Sequence, residues 1–199
     1  AYSRAGVAAF TTSTGYGIAK YDNPEELSVS DRNNIGYQYT DCPLYWISVI
    51  YLNFAEAKAE MGSLTQSDLD NTINLLQKRA GLPAMTTTPD ADPANNMGVS
   101  NLIWEIRRCR RCELIMDNWY RYWDLIRWHQ LDKLDSTKYP NIMLGANVSN
   151  VPNCEEATKN GYIDASDAQI RTYEARQYLY PIPTTQLTLN KNMKQNPGW

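Results

Sequence analysis

Residues 100–134 read SNLIWEIRRCRRCELIMDNWYRYWDLIRWHQLDKL, and this stretch decides how the rest of the chain is read. It holds four of the six tryptophans, Trp104, Trp119, Trp123 and Trp128, interleaved with Arg107, Arg108, Arg110, Arg111, Arg121 and Arg127. Ser100 can accept a hydrogen bond from a free N–H of a first helical turn, and no Gly or Pro interrupts the chain from there to Pro140. A break is expected at Asp117 and Asn118, giving a helical hairpin. Ile103, Ile106, Arg110 and Leu114 share one side of its first arm; Trp119, Trp123, Ile126 and Gln130 share one side of the second and are expected to pack. Arginine stems can cover apolar surface while their heads meet Glu105, Glu113 and Asp124. The arginines are therefore read as structural.

Upstream, Pro43 opens another helical segment. Leu44 to Met61 reads as a helix of about 27 Å at the standard rise, with Ile47, Ile50, Tyr51, Phe54 and Ala55 as its apolar set and Gly62 closing it. Thr65 and Asp68 have the spacing of a capping box. The helix after it uses Leu69, Ile73, Leu76 and Ala80 and stops at Gly81-Leu82-Pro83. The fold class expected is mainly α, with stacked helical hairpins in a tetratricopeptide-like layout and long loop-rich segments. Such units bury their apolar faces only by stacking.

The remainder is loop-like. Residues 1–41 are polar and Gly-dotted, with tyrosines spaced along them, and Gly15–Tyr21 could form a short strand. Residues 86–99 read as a solvated loop; Asp90, Asp92, Asn95 and Asn96 could take calcium, but a calcium loop's glycine and terminal glutamate are missing. Residues 135–199 read as loops and an extended tail, with Tyr178–Pro183 strand-like and Pro197-Gly198-Trp199 as a terminal anchor. Binding residues collect on loops held by a rigid scaffold, so the tyrosines of residues 1–41 and the loops of 135–172 are the two candidate ligand segments.

Composition excludes several classes. The net charge is −3, from 19 basic and 22 acidic residues, without the clustered basic excess of a nucleic-acid-binding surface. No run approaches the roughly 20 apolar residues of a membrane-spanning helix. The opening AYSRAGVAAF has no signal-peptide pattern. Four cysteines stand at 42, 109, 112 and 154. Cys109 and Cys112 form a C-x-x-C, but no second paired motif completes a zinc site, and the pair sits inside an arginine-rich helix, so buried thiols or a structural bridge are expected. The only histidine, His129, is read as a helix-end cation or partly buried ring. Glu56 with Glu60, and Glu113 with Asp117, have the i, i+4 spacing of carboxylate pairs, but are read as surface or salt-bridged. No catalytic residue, cofactor site or metal site is assigned, and ligand-binding residues are left unassigned. Tyr and Trp supply 20 of the 22 aromatic residues, and both suit wet interfaces and stacking on sugar rings.

The order CELIMDNWYRYWDLIRW, Cys112 to Trp128, resembles the signature of the SusD/RagB family of nutrient-binding outer-membrane lipoproteins. YLNFAEAKAEMG (51–62), INLLQKRAGLP (73–83) and YLYPIPTTQLTLNKNMKQNPGW (178–199) agree with it in order and spacing. One departure is that Cys109 and Cys112 flank Arg110 and Arg111 where the family usually has an acidic-basic pair. The resemblance implies that residues 1–199 are the C-terminal part of a SusD/RagB-like domain: 1–41 loop-rich, 44–83 and 100–134 helical hairpins, 135–199 loops and extended tail. The N-terminal part, with its lipid anchor, would lie outside this sequence. It further implies non-catalytic binding of an oligosaccharide or other nutrient on the extracellular face of the outer membrane, beside a SusC-like TonB-dependent transporter, with no nucleic acid involved. A reading from another class is a helical-repeat adaptor for a protein partner.

Overall fold

The computed structural model of the protein describes residues 12, 14–18, 20, 28–32, 43–117, 119–151, 158–166 and 169–199. Along the chain come α1 (Val29–Arg32), α2 (Ile47–Glu60), α3 (Gln66–Asp70), α4 (Ile73–Arg79), α5 (Asn101–Glu113), α6 (Tyr120–Arg127), β1 (Leu144–Asn147), β2 (Thr158–Lys159), β3 (Tyr162–Asp164) and α7 (Thr184–Leu189). They divide into two compact units: Pro43–Gln130, and Ala1–Cys42 with Leu131–Trp199.

Pro43–Gln130 is helical. α2 contains no Gly or Pro and carries three alanines, so the backbone meets no breaker before its end. Gly62, at φ 66°, closes it: Gly62 N–H donates to Ala59 C=O (3.0 Å) and Ser63 N–H to Lys58 C=O (2.9 Å), the two reversed bonds of a Schellman end. The Thr65–Asp68 capping box forms as expected, and Lys58 reaches Asp68 at 2.7 Å. These contacts hold the Asp68 carboxyl down to about 2, the Lys58 bond being the largest cause and the Thr65 hydroxyl the next.

The helix expected after the capping box is two helices, α3 and α4. The Thr72 hydroxyl donates to the Asp68 carbonyl (2.6 Å) and the Asn71 amide to the Ser67 carbonyl (2.8 Å). Side chains that bond back to the preceding turn compete with the helical ladder, and it breaks there. Leu69, Ile73 and Leu76 are buried as expected; Ala80 is exposed beside Gly81, which ends α4.

The stretch expected as a hairpin over 100–134 contains α5 and α6 and, from Leu131, the start of the second unit; Ser100 caps α5 through the Ile103 N–H (3.3 Å), α5 ends at Glu113 and α6 begins at Tyr120. Ile106, Arg110 and Leu114 face inward. Together with Leu52, Ala55, Leu69, Ile73, Leu76 and Met85 the apolar members form the core of this unit. Full burial of a Leu or Ile contributes about 1.5–3 kcal/mol.

Two helix faces depart from expectation. On α2 the buried line is Ser48, Leu52, Ala55 and Glu56, while Ile47, Ile50 and Phe54 are 62%, 60% and 45% exposed. On α6 the buried residues are Asp124 and Leu125, joined by Trp128 just beyond it, while Trp119 is 80% and Trp123 53% exposed. In both, the inward face is chosen by a charge that must meet a partner rather than by the apolar stripe.

In the second unit, Ser28 caps the single turn of α1 through the Asp31 N–H (3.1 Å). The described residues of Gly15–Tyr21 form no strand. Residues 135–172, expected as loops, hold a small antiparallel sheet in the order β1-β3-β2. Asn160 and Gly161, at φ 54° and 79°, make the tight turn between β2 and β3. Gly145 of β1 lies against the Thr14 carbonyl, which accepts from Ala146 N–H at 2.8 Å; a Cβ at 145 would stand 2.3 Å from that oxygen. Of the expected strand-like Tyr178–Pro183, Tyr178 closes a 3-10 turn (Ala175–Tyr178) and the backbone is extended from Leu179; Pro183 then opens α7 in a tail expected to stay extended. Trp199 anchors the tail by donating to the Leu179 carbonyl (2.9 Å), with the Arg176 guanidinium 4.7 Å from its ring centre.

Candidate functional site

The carboxylate pairs come first, because hydrolysis of a sugar bond needs two carboxyl groups free to act. Glu56, 3% exposed on α2, accepts from Arg107 Nε at 2.9 Å and from Trp128 Nε1 at 2.6 Å on one oxygen, and from Arg127 on the other. Glu60 accepts from the same Arg107 at 3.0 Å. Asp124 takes Arg110 Nε at 2.7 Å and Arg127 Nε at 2.9 Å, and Arg110 also donates to Asn53 at 2.8 Å. The guanidinium groups of Arg107 and Arg127 lie 4.5 and 4.6 Å from the centre of the Trp128 ring. Burying a charge costs several kcal/mol unless it is paired and hydrogen-bonded, and here both conditions are met. Burial disfavours the charged form of Arg127, but its bonds to Glu56 and Asp124 outweigh this and raise its proton affinity. This cluster ties α2, α5 and α6 together. Glu113 is held by Arg79, and Asp117 is buried.

The other sequence candidates also have structural occupations. Asp92 accepts from Trp104 Nε1 (2.9 Å) and from Ala94 N–H (2.8 Å), and the Trp104 bond is the chief reason its carboxyl titrates low. The Asn95 amide donates to the Val99 carbonyl (2.9 Å), closing the loop on itself. Cys109 and Cys112 are free thiols; burial pushes Cys109 up to about 12, far from a reactive thiolate, and Cys112 is exposed. Cys42 and Cys154 lie outside the described residues, as do all the tyrosines of 1–41 except Tyr16, which is 63% exposed. His129 is exposed just past the end of α6, at φ 52°.

Within the second unit, the 135–172 segment encloses a cavity of about 360 Å³. Its rim comes from the turn after Leu134, from β1, and from the β2–β3 hairpin with the bend beyond it. Pro140, Met143, Leu144 and Ile170 give it apolar wall; Ser136, Thr137, Lys159, Asp164, Ser166 and Gln169 give it polar groups. Several of these are positioned by local bonds. Asp164 accepts from the Ser166 N–H at 3.0 Å and from its hydroxyl. Ser136 both donates to the Arg171 carbonyl (3.2 Å) and accepts from the Arg171 N–H (2.9 Å). Thr137 is held by Asp135, whose carboxyl is kept low chiefly by that hydroxyl. Lys159 lines the cavity and makes no ion pair with any described residue. The cavity thus joins fixed donors and acceptors to a modest apolar wall, and its described lining carries one carboxylate, Asp164. That set can hold a polyhydroxylated molecule. Sequence reasoning pointed to this segment but to none of these residues. Their only sequence signal is polar side chains beside turn formers.

A second cavity, of about 570 Å³, lies in the helical unit between the Leu82–Asp90 segment and α5, with Glu105 and Arg108 on its rim. Those two pair with each other at 2.7 Å.

The SusD family model matches residues 2–199. Among solved structures, the chain is similar to a SusD-like protein, BF3747, from Bacteroides fragilis, with 26% identity and a TM-score of 0.52 over 76% of this chain and 25% of that one. It is also similar to a protein designated BT4246 in two structures. The selenomethionine form has 29% identity and a TM-score of 0.54, covering 81% of this chain and 26% of that one; the other has 28% and 0.53, covering 81% and 25%. The chain therefore spans about a quarter of the length of these relatives. No curated protein matches.

Proposed function

The chain belongs to the SusD family, and on that premise we propose that it is part of a cell-surface protein that captures an oligosaccharide or similar nutrient without cleaving it. The family match over nearly the whole chain carries this reading. The bound nutrient passes to a SusC-like TonB-dependent transporter in the outer membrane, and a lipid anchor outside residues 1–199 holds the protein at the extracellular face. No helix among the described residues is long and apolar enough to cross a membrane, which is compatible with anchoring by lipid.

The cavity of the 135–172 segment is the ligand contact we assign to this part of the protein. Lys159 and Gln169 present hydrogen-bond donors to sugar hydroxyls, while Pro140, Met143 and Ile170 meet the apolar faces of the ring. A glycosidase would need a second carboxylate across the bond, and the ion pairs of Glu56 and Asp124 commit those acids to arginines. The test is calorimetric titration of the intact polypeptide with a panel of neutral and acidic oligosaccharides, followed by analysis of each mixture. Saturable heat with sugar recovered whole is the expected result. Shortened sugar, or no heat with any member of the panel, overturns the reading.

A further inference from the structure

The C-x-x-C of Cys109 and Cys112 lies inside α5, and helical spacing decides what the pair can do. Residues three apart on a helix share a face, with Cβ atoms about 5–6 Å apart. A disulfide needs its Cβ atoms about 3.5–4.5 Å apart, closer than the intact helix brings these two. Both thiols are free. A metal ion set between the sulfurs spans the wider gap, since each metal–sulfur bond adds about 2.3 Å, the length zinc shows. Cys109 packs against the core of the helical unit, while Cys112 is exposed. One side of such an ion is then sheltered and the other open for entry.

The surroundings select the ion. A zinc site needs four ligands. Two carboxylates act electrostatically on Cys109, those of Glu105 and Glu113, but Glu105 is held by Arg108 at 2.7 Å and Glu113 by Arg79. Among the described residues no group of three His, Cys, Asp or Glu side chains is placed to share a metal. Two sulfurs without an oxygen suit a soft ion that is satisfied by two ligands, as Cu(I) is. Arg108 lies within electrostatic reach of both sulfurs and Arg79 of Cys109, so the negative charge of two thiolates is met by cations as well as by the ion itself. We propose that Cys109 and Cys112 form a binding site for a soft, monovalent, two-coordinate cation of the Cu(I) class. Binding breaks two S–H bonds, makes two S–Cu bonds and releases two protons to water; the copper enters and stays as Cu(I), so nothing is oxidised or reduced.

The test offers the intact, reduced polypeptide Cu(I) held by the coloured chelator bicinchoninate, with oxygen excluded. Transfer of about one ion per chain is expected, read as loss of the chelate's colour. Cys112→Ser, a change at an exposed position that costs the fold little, is expected to weaken uptake at least about tenfold. Replacing Cys42 and Cys154 by serine is expected to leave it unchanged. In the unaltered polypeptide, one equivalent of Cu(I) should slow alkylation of Cys112 by iodoacetamide at least about tenfold, read peptide by peptide, and excess chelator should restore it. That readout needs no variant to fold. No transfer from the chelator overturns the proposal. So do transfer that Cys112→Ser leaves intact, transfer lost with Cys42 and Cys154, and a Cys112 that copper leaves unprotected. A disulfide between 109 and 112 formed in the folded chain by glutathione disulfide overturns it as well, since the helix would then bring the sulfurs too close for an ion between them. None of these readouts involves sugar, so this proposal and the nutrient-capture reading fail separately.

Discussion

Glu56 shows how one side chain can fix the arrangement of three helices. It receives two guanidinium groups and an indole N–H while almost fully buried, so its loss leaves Arg107, whose side chain is only 10% exposed, with the half-exposed Glu60 as its remaining carboxylate, and leaves the Trp128 N–H without its acceptor. Glu56→Ala is expected to destabilise the protein by about 3–5 kcal/mol, the range for breaking one partner of a buried pair, measured by urea unfolding. Lys78→Ala on the exposed side of α4 should change stability by less than about 0.5 kcal/mol in the same assay. Asp68 gives a pH prediction. Its folded-state value near 2 lies below the ordinary 3.8, so the stability it contributes is present above about pH 4 and is lost as pH falls through 2. A carboxyl NMR titration should place its midpoint near 2; a midpoint at 3.8 would mean the capping box and the Lys58 contact do not persist in solution. The Thr65–Asp68 box was legible because capping is written in adjacent residues. Asp124 was legible as an arginine partner because it shares a short helical stretch with Arg127. Glu56 was foreseen as surface or salt-bridged, but not as the centre of the cluster: it stands 51 residues from Arg107, and no local pattern encodes a pairing at that distance.

At the scale of elements, helix ends were easier to read than helix faces. Gly62 and Gly81 marked two ends correctly because only glycine adopts positive φ without strain. α6 ends with the same pair of reversed bonds, from His129 N–H to Ile126 C=O (3.0 Å) and Gln130 N–H to Leu125 C=O (2.7 Å), with His129 in the left-handed position. His129→Gly is expected to raise stability by about 0.5–1 kcal/mol, the left-handed penalty for a side chain less glycine's greater unfolded-state entropy, seen as a higher urea midpoint at constant slope. Gly145→Ala should act oppositely. Its Cβ meets the Thr14 carbonyl, which cannot retreat without stretching the Ala146 bond, and a loss of about 1–3 kcal/mol is expected. The faces of α2 and α6 were misread because apolar periodicity finds a stripe without saying which side of the helix it marks. On α2 there are two, and the one beside Glu56 turns inward. The strands β1 to β3 escaped notice because two to four residues are too few to show alternation.

For the whole molecule, the resemblance of four separated blocks gave the family, while the cavity of the 135–172 segment had to wait for the structure, since its walls join residues from several turns. If that cavity holds sugar, removing a lining donor that makes no ion pair with any described residue should separate binding from folding. Lys159→Ala is expected to weaken oligosaccharide affinity about tenfold, equivalent to one good hydrogen bond, with the urea midpoint unchanged; calorimetry and unfolding on the same preparation check both halves. Unchanged affinity would move the contact elsewhere. The buried arginine cluster also has an optical consequence. Trp128 has three guanidinium groups within 4.5–6.0 Å of its ring and a carboxylate at its N–H, and it is 8% exposed, as Trp104 is 7%, while Trp119 and Trp123 stand largely in water. Iodide or acrylamide should therefore extinguish the red-edge emission of Trp119, Trp123 and the 46%-exposed Trp199 first and leave a bluer residue of light to which Trp104 and Trp128 contribute. The chain thus contains its own fluorescent gauge of whether α2, α5 and α6 remain tied together.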